Sequence, residues 1–289
     1  MTSIERYKIL NAVKSTRIIR PLNCIFSFIC VLFGTYYSGG LNIRIETFLI
    51  ALSATLIAGA GYVVNDIFDL EIDKINQPQR VLPQGLLNIK QASIITFILL
   101  TIGLLLSLSS DSVWHLLIAT INALLLLFYA IYFKKIGLIG NLVVAWTAAS
   151  TFLYGALLTN SIKKVLPIMI LAFLYTLIRE WTKTIEDYEG DKSQNAKTVA
   201  IMLGKAKTVW LLFVPAILLL VFIFVFYRMN ITNPFEFLWL NILVVVPLAL
   251  FLIILLRSQN KIIVKTVHKW MKIDMLILLL IYVVSYLLD

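Results

Sequence analysis

The sequence predicts an all-α membrane protein, a bundle of about nine transmembrane helices with its N-terminus in the cytoplasm. Three observations predict this fold class: the composition, the number of long apolar segments, and the distribution of basic residues between those segments. Of the 289 residues, 61% are hydrophobic and only 14% are charged, and the mean hydropathy is +0.94. About a quarter of the residues of a soluble domain are charged. The composition therefore indicates a membrane protein and excludes an ordinary soluble domain.

Apolar segments long enough to cross a membrane recur along the whole chain, since a helical crossing needs roughly 20 residues. We place nine of them at residues 21–40, 46–66, 92–110, 113–133, 137–158, 165–185, 208–228, 235–256 and 272–288. Only Asp111 and Ser112 separate the third from the fourth, which indicates a tight helical hairpin. No separate soluble region remains, so residues 1–289 are expected to form a single polytopic domain.

Basic residues between the spans collect on one side of the predicted membrane. With the N-terminus inside, 19 Lys and Arg residues lie on the cytoplasmic side and four on the other. Short loops rich in Lys and Arg stay in the cytoplasm. This bias predicts the orientation and a multi-pass location in the inner (cytoplasmic) membrane. Because it also explains the net charge of +10, nucleic acid is not expected as a partner.

Acidic residues are rare, and nine of the 15 lie in two short segments, 65–73 and 179–191. The first segment closes the second span. Its residues Asn65, Asp69 and Asp73 are spaced four apart and share one helix face, with Asp66 beside it. The carboxylates are therefore expected to point together at the mouth of the bundle.

The second acidic segment closes the sixth span in the same way. Glu180, Lys183, Asp187 and Asp191 are spaced three or four residues apart, which again forms one stripe on a helix. Both segments precede long cytoplasmic loops with a glycine before the next helix. This similarity indicates a weak internal repeat with one acidic loop in each copy.

Clustered carboxylates in so apolar a chain need a compensating charge, because like charges repel and desolvation is costly. Mg²⁺ prefers oxygen ligands and is commonly held by carboxylates together with substrate phosphates. One acidic cluster by itself would more often be a solvated helix face than a binding site. Two such clusters in a chain with so few charges favour an Mg²⁺–diphosphate site between the clusters.

Basic side chains near the same mouth could hold the diphosphate, which carries more charge than the metal neutralises. The candidates are Arg20, Arg80, Lys134 and Lys183. Each could instead serve only as a charged anchor on the cytoplasmic side.

Three segments carry a resemblance to a known family. They are RPLN at 20–23, NDIFDLEIDKINQPQRVLPQG from Asn65, and YAIYFKKIGLIGNLVVA at 129–145. The chain resembles the UbiA superfamily of intramembrane prenyltransferases. The resemblance implies a helical bundle that binds an isoprenyl diphosphate with Mg²⁺ and transfers its prenyl group, through an allylic carbocation, to a nucleophilic acceptor. It also implies that the metal ligands are Asn65, Asp66, Asp69, Asp73, Asp187 and Asp191, and that the five aspartates among them are catalytic.

The second acidic segment, REWTKTIEDYEGD, is most similar to the superfamily's digeranylgeranylglyceryl phosphate synthase branch. That branch implies a geranylgeranyl donor and a lipid hydroxyl acceptor such as geranylgeranylglyceryl phosphate. Thr184 stands where the branch has Asp, which removes one possible ligand. An aromatic acceptor, 4-hydroxybenzoate or dihydroxynaphthoate, stays open as an alternative.

Two functions from other classes would use the same carboxylates. A divalent-cation transporter is disfavoured because coupling-ion sites usually lie near the middle of the membrane, where Asp274 is the nearest candidate. A non-catalytic protein that binds a lipid diphosphate would keep both clusters, and only turnover separates it from an enzyme.

Overall fold

The helices of the bundle follow the apolar segments of the sequence. The computed structural model of the chain describes residues 14–39, 44–159, 161–193 and 196–288. In chain order the α-helices are α1 (Pro21–Gly39), α2 (Ile45–Phe68), α3 (Leu70–Asn76), α4 (Ile89–Leu106), α5 (Val113–Ile131), α6 (Gly137–Ala156), α7 (Ile162–Glu186), α8 (Tyr188–Ser193), α9 (Val199–Leu203), α10 (Lys205–Arg228), α11 (Pro234–Leu240), α12 (Val246–Arg257) and α13 (Lys261–Leu288).

Within the described residues, eight helical segments are long and apolar enough to cross a membrane. They are α1, α2, α4, α5, α6, α10, α13 and the segment Pro234–Arg257, in which a π-helical turn at Asn241–Val245 joins α11 to α12. The remaining predicted span, 165–185, lies within α7, a 25-residue helix that carries charged side chains in its last turns. Residue 40, the predicted end of the first span, lies outside the described residues. The orientation in the membrane stays a prediction.

Helix α7 is the central helix of the second half of the bundle. It packs against α6, α10 and α13, and apolar side chains such as Ile168, Leu171 and Ile178 are completely buried there. Successive long helices run in opposite directions. The start of α1, the end of α2, the end of α5 and the end of α7 therefore lie at one end of the bundle, which we call the motif end.

The two acidic segments have the same local structure, as the predicted internal repeat requires. Each long helix stops one residue before an aspartate, Asp69 or Asp187, and a short helix follows. Each connection then contains a glycine with positive φ, Gly85 at 68° and Gly204 at 83°. Glycine adopts this conformation without the steric cost that a side chain would add.

Helices α1 and α6 cross with their backbones in direct contact. A Cβ atom at Gly155 would lie 2.0 Å from the carbonyl oxygen of Val31, and one at Gly34 would lie 2.2 Å from the carbonyl oxygen of Phe152. The Thr35 hydroxyl donates a hydrogen bond of 3.0 Å to the carbonyl of Gly155. Small residues permit such close crossings between membrane helices.

Gly155→Ala is therefore expected to separate α1 from α6 and destabilise the fold by about 1–3 kcal/mol, the usual cost of overpacking. Thermal unfolding in detergent measures the effect as a lower Tm. Gly59→Ala is the matched control, because the nearest atom to its added Cβ is the Cys24 Sγ at 3.5 Å. Equal Tm values for the two variants would show that the crossing tolerates a side chain.

Candidate active site

The first acidic segment keeps its four-residue spacing across the break between α2 and α3. The backbone N–H of Asp69 donates to the carbonyl of Asn65 at 3.0 Å, and that of Asp73 donates to the carbonyl of Asp69 at 2.7 Å. Asp66, Asp69 and Asp73 are all buried, with exposed fractions of 5%, 7% and 4%. Helical hydrogen bonding thus holds the carboxylates at the motif end, where the sequence predicts them.

Each of these three carboxylates has a cationic partner. The Arg20 Nη2 donates to the Asp66 Oδ1 at 2.7 Å, and the Arg80 Nη1 donates to the Asp73 Oδ2 at 2.5 Å. The Lys134 Nζ donates to the Asp69 Oδ2. Three of the four predicted clamps therefore contact the three predicted carboxylates. Burying a charge is tolerated when it is paired and hydrogen-bonded.

Further contacts connect the pairs into one network. The Arg80 Nη1 also lies 3.5 Å from the Asp66 Oδ1. The Asn65 Nδ2 donates to the Asp69 Oδ2 at 2.9 Å, and the Asn65 Oδ1 accepts from the Lys134 Nζ at 3.4 Å. Asn65 thus orients both members of the Lys134–Asp69 pair.

Arg20 adopts an unusual backbone conformation just before α1. Its φ is 51°, in the left-handed region that non-glycine residues rarely occupy. Its guanidinium carbon lies 5.1 Å from the centroid of the Tyr62 ring, a distance typical of a cation–π contact. The turn at Arg20 aims this guanidinium at Asp66, and backbone strain of this kind is common at functional sites.

The second acidic segment also keeps its spacing across a helix break. The backbone N–H of Asp187 donates to the carbonyl of Lys183 at 3.0 Å, and that of Asp191 donates to the carbonyl of Asp187 at 2.9 Å. The Asp187 side chain is exposed at the motif end. We call the region around Lys134, Lys183, Asp187 and Asp191, beside the first acidic segment, the recess. Desolvation there raises the pKa of the Asp187 carboxyl, and the nearby Lys183 ammonium partly opposes this rise.

Burial likewise raises the pKa of Asp191, opposed by the Thr198 hydroxyl and by the ammonium groups of Lys183 and Lys134. Burial also raises the pKa of Asp73, opposed mainly by its hydrogen bond from Arg80. These carboxyls therefore hold their protons more readily than free aspartates do. A bound cation would favour their ionised forms.

Two features connect the two acidic segments. Lys134 pairs with Asp69 of the first segment, and its ammonium group lowers the pKa of Asp191 in the second. The backbones of Ile136 and Lys197 form a parallel β-bridge between the loops that follow α5 and α8.

The sequence did not predict the side-chain network beneath the second segment. The Arg179 Nη2 donates to the Glu180 Oε1, and its Nη1 donates to the His268 Nε2 at 3.3 Å. The His268 Nδ1 donates to the Glu186 Oε2 at 2.7 Å. A histidine on α13 thereby fixes the end of α7 just before Asp187. No spacing pattern in the sequence connects His268 to residues more than 80 positions away.

Glu180, a predicted member of the stripe on α7, and Thr184, which replaces an Asp of the family branch, both lie away from the recess. Glu180 is buried and paired with Arg179 one turn below the recess. Thr184 is also buried, and its hydroxyl donates to the carbonyl of Trp181 within the same helix. Lys183, Asp187 and Asp191 are thus the members of the stripe at the recess.

The donor chemistry of the two segments fits a hard divalent cation. Carboxylate and amide oxygens are the ligands that Mg²⁺ prefers, and all six predicted ligands supply them. Within the described ranges, no three acidic, His or Cys side chains converge closely enough to hold a metal ion by themselves. The first three aspartates are bound to cationic side chains instead, so ligation would require these ion pairs to rearrange.

Comparisons with known proteins agree with this geometry. Residues 27–279 match the family model described as the UbiA prenyltransferase family. A digeranylgeranylglyceryl phosphate synthase from Sulfurisphaera tokodaii is 35% identical over 249 residues, covering 84% of this chain and 87% of that protein. The synthase of the same name from Methanosphaera stadtmanae is 33% identical over 266 residues, covering 90% and 94%.

Solved structures show the same fold. A structure described as digeranylgeranylglyceryl phosphate synthase in membranes matches with a TM-score of 0.83 and 32% identity, covering 96% of this chain and 98% of that one. A UbiA homolog from Archaeoglobus fulgidus bound to GPP and Mg²⁺ matches with a TM-score of 0.71 at 15% identity, covering 93% and 99%.

Proposed function

The chain belongs to the UbiA prenyltransferase family, and on that premise we propose that it transfers a geranylgeranyl or similar isoprenyl group to the hydroxyl of a lipid such as geranylgeranylglyceryl phosphate. The observation that carries this proposal is the pairing of three buried aspartates with three cations at the motif end, beside a second pair of aspartates. We propose that this end faces the cytoplasm from the cytoplasmic membrane.

The isoprenyl diphosphate would bind with its head in the recess and its chain among the apolar helices. Arg20, Arg80, Lys134 and Lys183 would donate hydrogen bonds to the diphosphate oxygens, exchanging their carboxylate partners for the substrate. Charge-assisted hydrogen bonds of this kind are roughly twice as strong as neutral ones. The GPP-bound structure of the Archaeoglobus fulgidus homolog supports a diphosphate as the ligand.

Asn65, Asp66, Asp69 and Asp73 would hold one Mg²⁺, and Asp187 and Asp191 another. Bound there, Mg²⁺ would neutralise charge on the diphosphate and make it a better leaving group. The residues present fit this role by their donor chemistry, and the aspartates freed from their ion pairs would become the ligands. Asn65 would keep Asp69 oriented through its side-chain hydrogen bond.

Transfer exchanges one carbon–oxygen bond for another. The bond between the allylic carbon and the diphosphate breaks, and the diphosphate leaves with the bonding electrons. The acceptor hydroxyl oxygen then bonds to the same carbon and loses its proton. The buried apolar core of the bundle would exclude water, which otherwise competes for the allylic cation.

The relatives support a lipid acceptor. Two synthases named for digeranylgeranylglyceryl phosphate are 33–35% identical to this chain over 84–90% of its length. We propose a glycerol-phosphate lipid as acceptor on that basis.

A transfer assay tests the proposal. Purified protein in detergent would receive geranylgeranyl diphosphate, Mg²⁺ and one of three acceptors: geranylgeranylglyceryl phosphate, 4-hydroxybenzoate or dihydroxynaphthoate. We expect an ether product with the lipid only. A prenylated aromatic product would contradict the acceptor while keeping the reaction class. Diphosphate binding without any product would favour the non-catalytic binding protein.

A further inference from the structure

Lys134 is the candidate clamp that pairs with Asp69 of the first acidic segment, and the structure shows what holds its backbone. The turn Phe133–Lys135 connects α5 to α6. Directly after this turn, the backbone N–H of Gly137 donates to the carbonyl of Lys197 at 2.9 Å. Ile136 forms a β-bridge with the same residue. We call these contacts of Ile136 and Gly137 with Lys197–Val199 the interlock.

Gly137 permits this contact because it has no side chain. An added Cβ would lie 2.5 Å from the Lys197 carbonyl oxygen, and 2.7 Å from both the Thr198 Cα and the Val199 backbone nitrogen. All three are backbone atoms, which cannot move aside by changing a rotamer. Any larger residue must therefore push the two loops apart.

The far side of the interlock is tied directly to the second acidic segment. The backbone N–H of Ala196 donates to the carbonyl of Asp191 at 3.0 Å. A displacement of Lys197–Val199 would thus also displace Asp191.

We propose that Gly137 is a positioning residue for prenyl transfer: its close contact with Lys197–Val199 holds Lys134, the partner of Asp69, at a fixed distance from the loop that carries Asp191. Separate loops carry the two halves of the recess, and the interlock sets the distance between them. This inference rests on the proposed function and deepens it, because the ligand at Lys134 is the diphosphate of the donor.

A double-mutant cycle distinguishes positioning from a general structural role. The variants are Gly137→Ala, Lys134→Gln and their combination, and the readouts are kcat/KM for geranylgeranyl diphosphate and calorimetric binding of its thiodiphosphate analogue. We expect Gly137→Ala to lower both about tenfold, the worth of one charge-assisted hydrogen bond. In the Lys134→Gln background, the same change should still cost about two- to threefold through the displaced Asp191, clearly less than in the wild type, because coupled residues are not additive. Equal losses in both backgrounds would overturn the proposal.

Gly190→Ala is the matched control, since Gly190 lies beside Asp191 and no atom lies within 4 Å of its added Cβ. It should leave kcat/KM and analogue binding at wild-type values. Tm and the elution volume in detergent show whether each variant folds. The binding measurement also separates this inference from the proposed function, because binding needs no turnover. If the wild-type protein showed no transfer activity, the proposed function would be refuted. The double-mutant cycle could still be measured by analogue binding.

A disulfide variant tests the interlock if Gly137→Ala does not fold. Bridged backbones lie about 4.8 Å apart, within the Cα–Cα range that a disulfide spans. Ile136→Cys combined with Lys197→Cys would lock the two loops, and the native Cys24 and Cys30 are buried away from exchange. We expect the oxidised variant to bind the analogue as the wild type does. Weak binding that dithiothreitol restores would show that the loops must separate, and would overturn the proposal.

Discussion

Asp69→Asn is expected to lower kcat by at least about 10²–10³-fold, the cost of losing one electrostatic group that acts on the transition state. The Asp69 carboxylate contacts both Lys134 and Asn65 at the centre of the first acidic segment. The amide keeps the shape of the side chain but removes its negative charge. It would then neither pair with Lys134 nor ligate a cation as a carboxylate does. Steady-state kinetics at saturating donor and acceptor measure the loss.

Asp111→Asn is the matched control for this variant. Asp111 is exposed in the hairpin between α4 and α5, at the opposite end of the bundle from the recess. The same chemical change there should leave kcat unchanged, and a cooperative thermal transition in each variant shows that it is folded. If the Asp69→Asn protein kept more than about a tenth of the wild-type kcat, its activation barrier would have risen by less than about 1.4 kcal/mol. Asp69 would then not be a catalytic residue.

Removal of divalent cations is expected to abolish transfer, with activity below about 1% after dialysis against EDTA, because metal ions supply several kcal/mol in such reactions. Added Mg²⁺ should restore the full rate. Ca²⁺ should restore much less, since it prefers longer bonds and more ligands than Mg²⁺. Undiminished turnover in EDTA would contradict the metal role of both acidic segments. A Tm that does not change on dialysis shows that the fold is intact.

The structure also bears on the transporter hypothesis. Asp274, the candidate nearest the middle of a span, is buried and accepts a hydrogen bond from the Tyr175 hydroxyl. The carboxylates of both acidic segments lie instead at the motif end. Coupling-ion sites of transporters lie near the midplane, on interrupted helices. The arrangement of carboxylates in this bundle therefore favours binding of a headgroup at its mouth.

Much of the fold and of the first half of the site was predictable from the sequence. Long apolar segments predicted the helices, since hydrophobic length alone decides which segments can span a membrane. The four-residue spacing of Asn65, Asp69 and Asp73 predicted that they share a face. The candidate clamps Arg20, Arg80 and Lys134 contact these aspartates because the start of α1, the loop after α3 and the turn after α5 all lie beside the end of α2.

Other features depend on contacts between distant segments and have no local signal. His268 reaches Glu186 and Arg179 from another helix, so only the packing of α13 on α7 reveals the network. The sequence around Gly137 also does not show that a side chain is excluded there, because the excluding atoms belong to Lys197–Val199. The pairing of Glu180 with Arg179, which takes Glu180 out of the expected stripe, was likewise not indicated by the spacing.

The central claim is that both acidic segments form one diphosphate site. Calorimetry with the non-reactive thiodiphosphate analogue of the donor, in Mg²⁺ and detergent, tests it most directly. We expect one binding site per chain, and at least about a tenfold loss of affinity, or roughly 1.4 kcal/mol, in Asp69→Asn and in Asp187→Asn alike. Glu189→Gln, which changes an exposed neighbour of Asp187 paired with Lys205, should bind as the wild type does. Two independent sites, or wild-type affinity in the Asp187→Asn protein, would contradict the claim.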